Sequence, residues 1–161
     1  YLLSKLFTSA GPICSIRTPS NTLMSASKSE NKMKFGYTII YVKNVQETVA
    51  FYEQAFGLSR RFIHESNLYA EMETGDTALT FAGEETAELS GLAIAPNRKE
   101  NLSAGWEICL VCENVATAYT HAINNGATPL VPPEEKPWNQ TVSYVKDLNG
   151  CLVEIASPVR K

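Results

Sequence analysis

The sequence predicts an α+β domain made of two βαβββ modules. Three observations predict it. Strand and helix patterns occur in the same order twice along the chain. Asn-Val pairs placed to open a helix recur 70 residues apart, at Asn44-Val45 and Asn114-Val115. The turn signals Gly75-Asp76 and Asn149-Gly150 separate the last two strands of each half. A chain of 161 residues is long enough for one domain with a proper core.

Residues 1–32 differ from the rest. They are rich in Ser and Thr, carry Lys5, Arg17 and Lys28, and hold no acid before Glu30. That composition resembles an organellar transit segment. The rival reading places the initiator at Met24 or Met33. Either way a disordered or transit-like leader is expected over 1–32. Residues 33–161 then form a single domain, with modules at about 34–83 and 105–158. The expected location is the cytoplasm, or a mitochondrion or plastid if the leader is a transit segment.

From Met33 the pattern becomes regular. Tyr37 to Lys43 is β-branched and aromatic, as a strand requires. Val45, Val49, Tyr52 and Phe56 repeat at helical spacing, and Gly57 follows as a stop. Arg60–Glu65, Leu68–Thr74 and Thr77–Ala82 read as three short strands. Residues 83–104 show no sustained period and read as the linker between halves. Glu107–Cys112 opens the second module as a strand. Val115, Ala118, Tyr119, Ala122 and Ile123 mark a helix that stops near Gly126. Thr128–Val131 reads as a short strand followed by a Pro-rich loop. Gln140–Lys146 and Cys151–Ala156 complete the module.

Composition narrows the function. A net charge of −3 gives no broad electrostatic case for nucleic acid or an anionic membrane. No apolar run approaches the roughly 18 residues of a membrane span. Cys109 and Cys112 form a C-x-x-C, but strand residues three apart point to opposite faces, and no Cys/His cluster completes a zinc site. They read as buried thiols of a reducing compartment, with Cys109 and Val111 on the same strand face as Glu107. No Ser/His/Asp set, phosphate-cradling loop or dinucleotide fingerprint is present. His64 and His121 do not cluster, and His121 is expected to be exposed on the second helix.

The run Asp147-x-x-Gly150-x-x-x-Glu154, with two strands that each lead into a helix at 37–45 and 107–115, resembles the glyoxalase/bleomycin-resistance/dioxygenase superfamily over about residues 34–158. The resemblance implies curved mixed sheets around a cavity, a small-molecule ligand and a homodimer. It carries the family's four ligand positions onto Tyr37, Thr80, Glu107 and Glu154. Only Glu154 is of the usual type. Glu107 is a plausible ligand where His is common, and Tyr37 and Thr80 are poor ones. The implied cofactor is a divalent metal held by Glu107 and Glu154 with an incomplete ligand set. The alternative for Glu107 is a rim carboxylate paired with Arg60 or Arg61, and for Glu154 a salt bridge at a strand end. Pro137-Trp138-Asn139-Gln140 is similar to a run in related sequences. It puts Trp138 forward as an aromatic wall for a ligand, beside Gln140, or else as packing for its loop.

The resemblance implies a glyoxalase-like lyase or isomerase with Glu107 and Glu154 as acid/base or metal groups. The alternative is a metal-free, ligand-sequestering protein of the bleomycin-resistance type. A ring-cleaving dioxygenase is rejected, because Tyr37 and Glu107 stand where its His ligands belong.

Overall fold

The computed structural model describes residues 33–159, so the expectations for 1–32 lie outside the described residues. The order is β1 (Tyr37–Val42), α1 (Val45–Phe56), β2 (Ser59–Ile63), β3 (Tyr69–Glu73), β4 (Ala78–Gly83) and α2 (Glu84–Leu89). There follow β5 (Glu107–Val111), α3 (Val115–Asn124), β6 (Thr128–Lys136), β7 (Gln140–Lys146) and β8 (Leu152–Ala156). Two four-stranded sheets form, ordered β1-β4-β3-β2 and β5-β8-β7-β6. In each, the opening strand pairs in parallel with the closing strand, and the other pairs are antiparallel. The two halves therefore share one topology, as the repeated element order predicts.

Both long helices start where the Asn-Val pairs place them. The Asn44 side chain accepts from the Glu47 amide at 3.1 Å, and that of Asn114 from the Thr117 amide at 3.0 Å. Each satisfies an amide that the first helical turn leaves without a partner. α1 ends at Gly57, whose φ of +68° is the left-handed conformation glycine adopts without strain.

Two elements differ from the sequence reading. β6 runs on through Pro132 and Pro133, where a loop was expected. It is an edge strand, and its register slips between Val131 and Glu134, so the prolines sit where no ladder amide is needed. The linker also contains α2. That helix buries only Ala87, too little to leave a periodic signal.

The core fixes how the sheets meet. Ile40, Met72 and Phe81 of the first sheet join Val145, Val153 and Ile155 of the second in a single buried cluster with Val49 and Tyr52 of α1 and Ala122 of α3. Each sheet thus turns its helix-bearing face inward. Strand alternation sends the other face of each sheet outward.

Candidate carboxylate site on the second sheet

On β5 the apolar residues Ile108 and Leu110 pack toward the core, and Glu107, Cys109 and Val111 are exposed on the outer face. Strand register sets Cys109 beside Glu154 of β8 and Glu154 beside Tyr144 of β7. Glu154 is half-buried, and its carboxyl lies near that of Glu107 and the thiol of Cys109. Burial raises the Glu154 pKa above the ordinary carboxylate range, and the contact and charge of Glu107 add to this. The same neighbours act on the other groups. Burial, then the Glu154 and Glu107 charges, pushes the Cys109 thiol up to about 11. Tyr144 is also raised, first by burial and then by the two glutamates. Neither basic residue offered by the sequence pairs with Glu107: Arg60 binds Glu53 at 3.3 Å, and Arg61 binds Glu73 at 2.8 Å and Glu71 at 3.3 Å.

The other two family positions lie on the outer face of the first sheet. Tyr37 is half-exposed. Thr80 is fully buried, and its hydroxyl donates to the Thr38 carbonyl at 2.9 Å. Beside them Tyr69 donates to Glu71 at 3.0 Å. Burial and then this contact raise the Tyr69 phenol to about 12. Because the sheets meet through their helix-bearing faces, one chain brings Glu107 and Glu154 together but does not bring Tyr37 and Thr80 to them. Trp138 stands 55% exposed at the β6–β7 turn, where its ring N–H donates to Gln140 Oε1 at 2.8 Å. Gln140 in turn donates to the Ser157 carbonyl at 2.9 Å, so this pair braces the end of the second sheet.

The donor set does not fit the four-ligand metal centre implied by the resemblance. Two carboxylates and a thiol share the face without a histidine, and Thr80 has spent its hydroxyl on the backbone. Among the described residues no group of three His, Cys, Asp or Glu side chains could hold a metal ion. The histidines are used elsewhere. His64 Nδ1 bonds to the Ser66 hydroxyl at 2.8 Å, and exposed His121 bonds through Nε2 to the Gln54 carbonyl at 2.8 Å.

Sequence reasoning placed Cys109 on the Glu107 side of β5 but took it for a buried thiol, whereas it is exposed on the outer face of this edge strand, and it passed over Tyr144. Tyr144 was hidden because its place depends on the register of β7 against β8, which only the Asn149-Gly150 turn hinted at.

Residues 34–155 match the family profile described as the glyoxalase/bleomycin resistance protein/dioxygenase superfamily, and the chain belongs to that superfamily. Solved structures agree on the fold. One is a glyoxalase-related enzyme from Fulvimarina pelagi, with 18% identity, a TM-score of 0.67, and coverage of 78% of this chain and 88% of that chain. Another is a glyoxalase/bleomycin resistance protein/dioxygenase family enzyme from Burkholderia phytofirmans PsJN, with 22% identity, a TM-score of 0.66, and coverage of 80% and 100%. At these identities the likeness concerns the fold alone. No curated protein matches significantly. Among the described residues no helix is long and apolar enough to cross a membrane.

Proposed function

We propose that this protein is a glyoxalase-like lyase or isomerase that acts on a small carbonyl compound, with Glu107 and Glu154 as an acid–base pair. The observation that carries this reading is the placement of two neighbouring carboxyls on one face of the paired strands β5 and β8, with Glu154 raised in proton affinity. Two like charges this close hold a proton between them more readily than either holds one alone. One carboxyl can then take a proton from a carbon next to a carbonyl while the other returns one. These are side chains of this chain alone, and no step passes through a metal.

The substrate cleft is shared between two copies. The outer face of each sheet is open in the single chain, with Val111 62% exposed on the second sheet and Tyr37 51% exposed on the first. A second copy can set its Tyr37 face opposite the glutamates and so assemble the four family positions. In light scattering the protein is expected to run at twice the 17.7 kDa chain mass. Val111→Glu is expected to shift it toward monomer. A wild-type monomer at working concentration would remove the shared cleft.

The chemistry is tested by proton NMR in D2O with α-oxoaldehydes and their thiol adducts. Deuterium is expected to enter at the carbon beside the carbonyl in the presence of wild-type protein. Glu107→Gln and Glu154→Gln should each slow it by roughly 100-fold or more. At acid pH both carboxyls are protonated and no base remains, so exchange should fall. At alkaline pH both are ionised and no acid remains, so the profile should be a bell whose alkaline limb is set by the raised Glu154 and lies above the titration of an ordinary glutamate. Exchange that both variants leave unchanged overturns the acid–base reading. Stoichiometric binding without any exchange favours the ligand-sequestering alternative.

A further inference from the structure

We propose that Cys109, beside Glu107 and Glu154 on the outer face of β5, captures apolar aldehydes covalently as reversible hemithioacetals. The inference rests on the acid–base pair of the proposed function and gives it a nucleophile. Three observations support it. Cys109 is a free, exposed thiol. Its register partner across β5 and β8 is Glu154, so a proton acceptor stands beside it on the same face. A mostly apolar cavity of about 630 Å³ opens at the β5 edge beside it, lined by both Cys109 and Cys112 with Phe56, Leu58, Val111 and Ile155, while Glu107 and Glu154 stand outside it on the Cys109 side.

The chemistry follows from that grouping. The thiol is held protonated at neutral pH, so it is a weak nucleophile toward reagents that need a free thiolate. A carbonyl is the electrophile that suits it, because addition there needs a base at sulfur and an acid at oxygen together. As the S–C bond forms, the S–H proton passes to the ionised carboxylate of the pair. The C=O π bond breaks, and its oxygen takes the proton from the protonated carboxyl. The pair begins and ends with one proton, and nothing is oxidised or reduced. The apolar lining selects the tail, since each methylene taken out of water favours binding. Cys112 is the internal control. It lines the same cavity, but it is half-buried with the opposite strand parity and has neither Glu107 nor Glu154 as a neighbour.

The test uses the full chain and carbonyl-13C-labelled hexanal, followed by carbon NMR. A saturable hemithioacetal resonance at one equivalent is expected in wild type. It should vanish in Cys109→Ser, persist in Cys112→Ser, and form at least about tenfold more slowly in Glu154→Gln. Labelled acetaldehyde should bind at least about tenfold more weakly than hexanal, because it lacks four methylenes of the tail. A signal that survives in Cys109→Ser, equal rates in Glu154→Gln, or equal affinity for both aldehydes overturns the proposal. Deuterium exchange is run on the same samples. Exchange without capture overturns the capture alone, and capture without exchange overturns the turnover reading while the capture stands.

Discussion

Gly150→Ala is expected to lower the melting temperature by roughly 10 °C or more, corresponding to a loss of about 3 kcal/mol or more. Two causes add. Gly150 has a φ of +92°, a conformation that costs a residue with a Cβ about 1–3 kcal/mol. An alanine Cβ there would also lie 2.2 Å from the Arg98 carbonyl oxygen and 2.9 Å from the Lys99 nitrogen. Both obstacles are backbone and cannot swing aside. The segment that would have to move is tied down on both sides. Arg98 donates to Glu84 at 2.9 Å, Asn97 to the Tyr41 carbonyl at 3.3 Å, and Lys146 to the Asn101 carbonyl at 2.7 Å. Gly75 separates the two causes. Its φ is +85°, but nothing lies within 4 Å of a Cβ built there, so Gly75→Ala should lose only the conformational part. Thermal melts followed by circular dichroism decide it. If the two variants melt within about 2 °C of each other, the close approach of the linker contributes nothing.

This close approach shows what the sequence could and could not reveal. Asn149-Gly150 was legible as a turn, because that pair favours positive φ in hairpins. The crossing of residues 97–103 over the turn was not, because a linker without periodicity carries no record of what it touches. The modules were legible for a related reason. Apolar spacing and helix-opening Asn residues are local signals, and both survived in each half even though few residues are shared. Alternation also placed Glu107 and Cys109 on one face of β5. Which faces of the two sheets meet was not legible. Alternation separates the two faces of a strand, but it does not say that Ile40 and Phe81 of one sheet and Val153 and Ile155 of the other pack into one cluster with the same helices. That arrangement is why Tyr37 and Thr80 stand apart from the glutamates in one chain. Arg60 and Arg61 were misleading partners for Glu107, since acids nearby in the first module, Glu53, Glu71 and Glu73, hold both of them.

The closing run of the sequence reads as one motif, yet its acids do different work, and Asp147→Ala is expected to cost about 3–5 kcal/mol. Asp147 is fully buried where the β7–β8 turn meets α1. Its Oδ2 accepts from the Tyr52 hydroxyl at 2.9 Å, and its Oδ1 accepts from the amides of Asn149 and Cys151, each at 2.8 Å. Asn149 adds a second tie to α1, donating to the Thr48 hydroxyl at 3.1 Å. The carboxylate therefore joins a helix of the first module to the turn that leads into β8 and Glu154. Removing it strands the Tyr52 hydroxyl and two amides in a site closed to water, at a cost of about 1–3 kcal/mol for each unsatisfied group before relaxation. The negative charge itself is not what stabilises. Burial raises the Asp147 pKa more than its donors lower it, so keeping the group ionised is a cost that those donors offset. Asp147→Asn keeps an oxygen for the two amides and offers an NH2 to the Tyr52 oxygen, so it should cost far less, about 1 kcal/mol. Tyr52→Phe leaves Oδ2 without its side-chain donor and should cost about 1–3 kcal/mol in the wild-type background. That cost should shrink when Asp147 is already Asn, because the contact being removed is then weaker. Urea unfolding of the two single variants and the double variant gives the coupling directly. Equal losses from Asp147→Ala and Asp147→Asn, or strictly additive losses in the cycle, would show that the two modules are not joined through this bond.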